Sequence, residues 1–203
     1  MGYSGHMGRG GRPSLRVLSD PRPPPVIPNA VLGMLIFVVT EAMLFAGLIS
    51  AISIIAAGSV GPWPPPDQPR LPVAATAVNT AALLLSGILL AYAGVVFRRD
   101  RERARTPLLI SIALGAFFVA FQGWEWVGLI REGLTVTSST HGSFFYLIVG
   151  LHAAHAVGAL VWLAVVARRL FGHRLSPASF ASAQVLWFFV VGVWPILYGT
   201  VYL

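Results

Sequence analysis

The chain has 203 residues, of which 56% are hydrophobic and only 10% are charged. Soluble domains usually carry about 25% charged residues. A domain of this length also has too little interior to hide several helices that are apolar on all sides. Composition therefore argues against a soluble fold and predicts an all-α protein of the membrane. Because there is no cysteine, disulfides, iron–sulfur clusters and thiolate metal sites are excluded.

The net charge of +7 does not indicate a nucleic-acid partner. All fourteen basic residues are arginines, and they lie between apolar runs, where charge orients a membrane protein. The sequence has no basic stripe with interleaved aromatic residues of the kind that a nucleic-acid surface needs.

Five segments are long and apolar enough to cross a bilayer, which requires roughly 20 mostly apolar residues. The hydropathy pattern predicts a bundle of five transmembrane helices, with spans from about Asn29 to Ala57, Pro72 to Phe97, Thr106 to Ile130, Ser143 to Val166 and Pro177 to Leu203. The first span is too long for a cleavable signal, whose apolar region has roughly 7–15 residues.

The arginines predict the orientation of the bundle. Twelve of them precede the first span or lie in the second and fourth loops, whereas Arg70 and Arg131 lie in the other two loops. Cytoplasmic loops are enriched in arginine and lysine. We therefore expect a cytoplasmic N-terminus and a C-terminus outside the cell.

Two segments are predicted to lie outside the membrane. Residues 1–28 are rich in glycine, proline and arginine, which is typical of a tail that is disordered or orders only on contact. The remaining residues, 29–203, form a single transmembrane domain. In the first outer loop, residues 61–66 read GPWPPP, a run too rich in proline for a helix and expected to form a stiff, extended cover.

Ionisable side chains within the spans are candidates for function, since one Asp, Arg or Lys at a helix centre costs roughly 2.5–3.5 kcal/mol. They are Glu41, Glu125, His152 and His155. Glu41 lies twelve residues into its span, about 18 Å at the helical rise, and the two histidines reach a similar depth from the opposite face. We expect these three side chains near the middle of the bilayer.

The shared depth predicts that Glu41 approaches either His152 or His155, because a hydrogen bond or an ion pair would lower the cost of burial. A protonated Glu41 bonded to a hydroxyl or a backbone carbonyl is the alternative. The two histidines, three residues apart, are expected to share one helix face. With Glu41 they would supply three ligands where a structural metal site usually has four, so we expect no metal. His141 and His173 are expected to be solvated in loops.

Glu125 is predicted to lie near the outer interface. Its neighbours Trp124 and Trp126 are typical of the aromatic belt found at that depth. Further polar side chains within the spans are expected to form hydrogen bonds between helices, namely Thr40, Asn79, Ser86 and Gln122. Glycines are expected to let helices approach closely, namely Gly33, Gly47, Gly87, Gly123, Gly150 and Gly158. Pro195 should kink the fifth helix or mark an interrupted turn.

Three motifs, in order and at matching spacing, resemble subunit III of the haem–copper oxidases. Residues 32–48, LGMLIFVVTEAMLFAGL, resemble the family pattern LGMxLFxxSExMxFxGL, with Glu41 as its carboxylate. Residues 121–126, FQGWEW, resemble the QxxEW segment. Residues 143–158, SFFYLIVGLHAAHAVG, resemble FYxxTGxHxxHVxxG. Five spans match the short bacterial form, which lacks the first two of the seven helices of the long form.

The resemblance implies a non-catalytic subunit in the inner membrane of a bacterium. It would pack against the oxidase subunits I and II, with haem and copper held by those partners and with phospholipid around it. It would stabilise the catalytic subunit and support its proton supply during oxygen reduction in aerobic electron transport. Within this implication Glu41, Glu125, Gln122, His152 and His155 are the polar functional candidates, and no residue is assigned to catalysis.

One departure from the family pattern leaves alternatives open. The last helix of the family often reads YWHFVDVVW, whereas this chain has Phe188 and Val191 where the pattern has histidine and aspartate. The chain could therefore belong with the subunit-III-like proteins that accompany some nitric oxide reductases. A small proton or ion transporter is a second alternative. An intramembrane hydrolase using Ser86 or Ser111 is a third, although neither serine has a nucleophile turn.

Overall fold

The structure is a computed structural model that describes residues 27–63, 69 and 71–202. These residues form helices joined by loops, with no strand among them. The five helices are α1 (Asn29–Gly58), α2 (Val73–Phe97), α3 (Arg105–Arg131), α4 (Thr140–Phe171) and α5 (Pro177–Val201). All five are long and apolar enough to cross a membrane. The prediction of an all-α bundle with five spans is confirmed.

The helix bounds agree with the predicted spans to within three residues, except at the C-terminal end of α4. That helix begins three residues earlier than predicted because the Ser139 side chain caps it by accepting a hydrogen bond from the Gly142 N–H. It continues five residues further, through two arginines in its last turn, and ends at Phe171 with Gly172 as its C-cap. Arginines near a helix C-terminus interact favourably with its dipole, and their aliphatic stems tolerate the edge of the hydrocarbon.

Helix α5 begins after the Ser176 cap with Pro177 in its first turn, a position that suits proline because no N–H is needed there. The helix continues through Pro195 to Val201. Of the two predicted consequences of Pro195, an interrupted turn is therefore wrong.

Four of the helices form a ring. Each of α2, α3, α4 and α5 packs against its two neighbours in that order, and α5 closes the ring on α2. Helix α1 lies outside the ring, where it packs against α5 and α4. It is the least buried span, with Phe45 and Ile52 as its buried residues. The ring supplies the core, and the first candidate site lies where α1 contacts α4.

Two fully buried tryptophans on α5 fill the ring and make its main interhelical hydrogen bonds. Trp187 donates to the Ser86 hydroxyl at 2.9 Å, and Trp194 donates to the Thr80 hydroxyl at 2.8 Å. The Ser86 and Ser111 hydroxyls lie 3.3 Å apart, and Ser111 also donates to the Ser86 carbonyl at 2.8 Å. These two serines tie α2 to α3 and to α5.

The close approaches of the helices occur at glycines that were mostly not predicted. A Cβ on Gly115 would lie 2.5 Å from the Trp187 ring, and a Cβ on Gly94 would lie 2.3 Å from the Gln184 amide. Gly87 faces Val191 at 3.0 Å, as predicted. The prediction is wrong for the other five glycines, which have no atom within 4 Å of a built Cβ, namely Gly33, Gly47, Gly123, Gly150 and Gly158.

The loops at the two ends of the bundle are described in part. Arg101 in the second loop donates to the Leu175 carbonyl in the fourth loop at 3.1 Å, so these loops lie at the same end, as the alternation of spans requires. Residues 1–26 of the predicted tail, Arg70 and the prolines of the predicted cover at 64–66 lie outside the described residues. The assignment of the two ends to cytoplasm and exterior stays a prediction.

His141 contradicts its predicted place in a solvated loop. It lies in the first turn of α4, is 4% exposed, and its ring centre is 5.4 Å from that of Trp63 in an edge-to-face arrangement. The early start of α4 explains the difference. His173 is exposed in the loop after α4, 3.7 Å from a Glu102 carboxylate oxygen.

Candidate functional site

Glu41 of α1 and His155 of α4 meet where these two helices contact each other. The His155 Nε2 atom lies 3.1 Å from the Glu41 Oε2 atom, within the distance of an ion pair, although the contact does not have hydrogen-bond geometry. Phe37 and Phe45 flank the imidazole with ring centres 6.3 and 5.7 Å away. The prediction that Glu41 approaches a histidine of the fourth span is confirmed.

The second nitrogen of His155 determines where the protons of the pair lie. Nδ1 is 2.8 Å from the Leu151 carbonyl, which can only accept, so Nδ1 carries a proton. Nε2 lies 3.1 Å from Oε2 and is the atom that faces the acid. A proton that moves between Oε2 and Nε2 would leave the net charge of the pair unchanged.

The pair is not fully enclosed by its own chain. The Glu41 side chain is 18% exposed and the His155 side chain is 13% exposed. Phe37 and Leu44, one turn to either side of Glu41, are 40% and 45% exposed. Polar groups open to hydrocarbon are costly, so this side of α1 would gain from a neighbouring protein surface.

His152 points away from the pair and into the ring. Its side chain is 1% exposed, and its imidazole stacks on Trp194 with ring centres 5.0 Å apart. The predicted common face with His155 therefore does not bring the two imidazoles to one ligand. Among the described residues, no group of three or more His, Cys, Asp or Glu side chains could hold a metal ion.

A second polar cluster lies toward the end of the bundle where α2 begins and where α3 and α5 end. It joins these three helices. Gln122 donates from its amide nitrogen to the Tyr202 hydroxyl at 2.9 Å and to Glu125 Oε2 at 3.2 Å. Thr76 donates to the same Glu125 oxygen at 3.1 Å. Asn79 donates to the Phe118 carbonyl at 3.1 Å and contacts the Gln122 oxygen at 3.5 Å. We call these five residues, Thr76, Asn79, Gln122, Glu125 and Tyr202, the Gln122 cluster.

Glu125 is held in place by two neutral donors, the Thr76 hydroxyl and the Gln122 amide. Trp124 beside Glu125 is 81% exposed, whereas Trp126 is half-buried with its ring centre 6.2 Å from that of Tyr146. The two tryptophans therefore have different environments, and Trp124 has the exposure expected of an interfacial side chain.

The other predicted interhelical bonds have mixed outcomes. Asn79, Ser86 and Gln122 each bond another helix or its end, as predicted. The prediction is wrong for Thr40, which is exposed and donates to the Phe37 carbonyl of its own helix at 2.7 Å. Ser86 and Ser111 bond each other, and Ser86 also accepts from Trp187, an arrangement that fastens helices together.

The sequence matches a known protein family over most of its length. The family model for cytochrome c oxidase subunit III matches residues 24–203. A probable cytochrome c oxidase subunit 3 of Nocardia farcinica is 35% identical over 184 residues, covering 86% of this chain and 88% of the relative. The cytochrome c oxidase subunit 3 of Corynebacterium diphtheriae is 32% identical with the same coverage.

The chain belongs to the cytochrome c oxidase subunit III family. The resemblance drawn from the three motifs is confirmed. The subunit 3 of the sea urchin Paracentrotus lividus is 31% identical over 178 residues, and this chain matches 67% of its length. Membership of this family implies a larger oxidase complex, and with five spans it makes the chain a multi-pass membrane protein.

Several residues of the subunit III sites were not singled out from the sequence. Thr76 and Tyr202 hold Glu125 and Gln122, and Phe45 packs against both imidazoles, with ring centres 6.2 Å from His152 and 5.7 Å from His155. The alternation of spans was a usable signal for Tyr202, because it places the end of α5 beside the end of α3. The signal for Phe45 was its fixed position in the first family pattern, because nothing in the apolar run itself marks the side chain that faces the neighbouring helix.

Proposed function

We propose that the chain is the non-catalytic subunit III of a haem–copper terminal oxidase in a bacterial cell membrane, with its N-terminus in the cytoplasm. It packs against subunits I and II, which hold the haems and copper. It stabilises the catalytic subunit and supports its proton supply during oxygen reduction. Phospholipid surrounds the remaining faces of the bundle.

The Glu41–His155 pair is the observation that carries this proposal. It combines the carboxylate of the first family motif with a histidine of the third, and both side chains are partly exposed on one side of the chain. A titratable pair at the surface of the bundle is placed to serve a neighbouring subunit. The exposed side chains around it on α1 offer that neighbour an apolar contact surface.

The proposal does not require any redox centre in this chain. Haem and copper need imidazole, thiolate or thioether ligands placed around one metal. His152 and His155 of α4 instead point to different neighbours. The role left to this chain is to position protons and to protect its partner.

The test is Glu41→Gln in the intact oxidase. Glutamine keeps the shape of the side chain and removes its titratable proton, so we expect a smaller effect on the initial rate of oxygen consumption than on the activity that remains during sustained turnover. Glu132→Gln, an exposed carboxylate after α3, is the matched control and should behave as wild type. Unchanged inactivation kinetics in Glu41→Gln would count against the proposal.

A further inference from the structure

Arg131 ends α3 as an exposed cation. It lies in the last turn of the helix, and within the described part of the chain no ion pair involves it. Together with Trp124, Val127 and Gly128 it lines a surface cavity of about 310 Å³. Trp124 is 81% exposed, and exposed tryptophans are typical of the level of the lipid head groups. The cavity is therefore at the level where lipid phosphates lie.

The charge of this cavity favours an anion. Of the described residues in its wall, Arg131 is the only ionisable one. The carboxylates Glu125 and Glu132 line a neighbouring cavity that shares Trp124. A guanidinium can bind a phosphate through two parallel hydrogen bonds, and phosphate is the anion that the surface of a bilayer supplies.

An exposed row of residues on α3 runs from this cavity toward the middle of the membrane. Residues four apart lie one above the other on a helix, so Arg131, Val127 and Gly123 share one face. Val127 is 48% exposed, and a Cβ on the exposed Gly123 would meet no atom within 4 Å. The row is about 12 Å long at the helical rise, within the roughly 15 Å of hydrocarbon in one leaflet. An acyl chain that starts beside Arg131 can lie along it.

The row leads into an apolar pocket between α3 and α4. Its wall includes Val119 and Gly123 from α3 and Val149 and Ala153 from α4, and its volume is about 120 Å³. The surface that it presents is almost entirely carbon, and both ring nitrogens of His152 in its wall are buried. An apolar cavity of about 150 Å³ stays dry and can bind a molecule such as benzene. The pocket therefore suits a short hydrocarbon segment and does not suit water.

We propose that this face of α3 is a binding site for one phospholipid, with the phosphate on Arg131 and the end of one acyl chain in the pocket between α3 and α4. The cation, the exposed row and the apolar pocket follow one another in the order of the parts of such a lipid. The end of the acyl chain contacts both helices, so the lipid would brace α3 against α4. A free phosphate would use the first cavity alone, and a neighbouring protein helix would cover the row.

The test is photocrosslinking of the purified complex in a mild detergent. The probe is phosphatidylglycerol with a diazirine near the end of one acyl chain, and the adducts are mapped by peptide mass spectrometry. We expect adducts on the pocket wall, around Val119 and Ala153. Ala153→Leu fills the pocket from α4 and should remove these adducts, whereas Ala154→Leu, at the next and exposed position, should keep them.

Titration of the probe tests the head-group end of the site. Arg131→Gln should raise the probe concentration that gives half of the maximal pocket adducts by about fivefold, since one basic residue at a lipid surface contributes about 1 kcal/mol. Arg99→Gln, an exposed arginine at the other end of the bundle, is the matched control and should leave that concentration unchanged. Diacylglycerol with the same diazirine chain lacks the phosphate and should bind the wild type as weakly as the phospholipid binds Arg131→Gln.

Three results would overturn the proposal. They are pocket adducts that persist in Ala153→Leu, equal titrations for Arg131→Gln and the wild type, and wild-type adducts confined to a neighbouring subunit. If Ala153→Leu fails to assemble, Val119→Phe fills the same pocket from α3. Glu41→Gln should leave the adducts unchanged, so the lipid site is tested separately from the role proposed for Glu41.

Discussion

The Glu41–His155 contact predicts an energetic coupling that a double-mutant cycle can measure. The perturbations are Glu41→Leu, His155→Leu and the double variant. Each single change leaves one polar group of the pair without its partner in a mostly buried position, which costs about 1–3 kcal/mol. The double change removes both groups together and should therefore cost less than the sum of the two.

The geometry sets the size of the expected coupling. The two side chains make one contact of 3.1 Å and are 13% and 18% exposed. Hydrogen bonds between membrane helices average about 0.6 kcal/mol and reach about 1.7 kcal/mol. We expect a coupling free energy in that range, below the roughly 3–5 kcal/mol lost on breaking a fully buried ion pair.

The assay is titration of the purified complex with a denaturing detergent, with the loss of this chain followed by size-exclusion chromatography. The midpoint and slope of each titration give a free energy for each of the four proteins, and these four values give the coupling free energy. Phe37→Leu paired with His155→Leu is a matched control that removes a flanking ring and keeps the acid. Strictly additive costs for Glu41→Leu and His155→Leu would refute the reasoning that the two side chains act as a pair.

Two further predictions concern packing within the chain and around it. Gly115→Ala should destabilise the bundle by about 1–3 kcal/mol, because a Cβ would lie 2.5 Å from the buried Trp187 ring. Gly123→Ala is the control on the same helix and should be neutral, because a Cβ there would enter open space. Equal thermal stability of the two variants would contradict this prediction. The chain has no cysteine, so a single introduced cysteine is the only one it carries. Leu44→Cys, beside Glu41, should crosslink to a neighbouring oxidase subunit, whereas Ile88→Cys, exposed on α2, should not. Equal crosslinking of the two variants would place the contact surface elsewhere.

The sequence was sufficient for the number of helices and for predicting that Glu41 and a histidine of the fourth span lie at the same level of the bundle. Length and hydropathy define each span, and the helical rise converts sequence position into depth. Glu41 and His155 could be paired in this way because few buried polar groups share their depth. The family motifs then added the same two residues independently.

The rotation of each helix about its axis could not be predicted. All five helices are apolar around most of their circumference, so no stripe marks the side that faces a neighbour. For this reason Gly115 and Gly94 were missed as close contacts, whereas Gly47 and Gly158 were wrongly chosen. The same ambiguity hid the fact that His152 and His155 face different neighbours.

The two ends of α4 show a different limit of the sequence. Hydropathy places a boundary where apolar residues stop, but the helix continues as long as its backbone is satisfied. Ser139 as a cap and Arg168 and Arg169 in the last turn extend it beyond the apolar run. The buried position of His141 follows from that extension.

The most direct test of the account is the absorbance spectrum of the complex that copurifies with a tagged copy of this chain from its native membrane in a mild detergent. The account predicts haem bands and the catalytic oxidase subunits in the eluate, with no haem retained once this chain is separated from them. Recovery of the chain without any haem-containing partner, or haem that stays on the isolated chain, would contradict it.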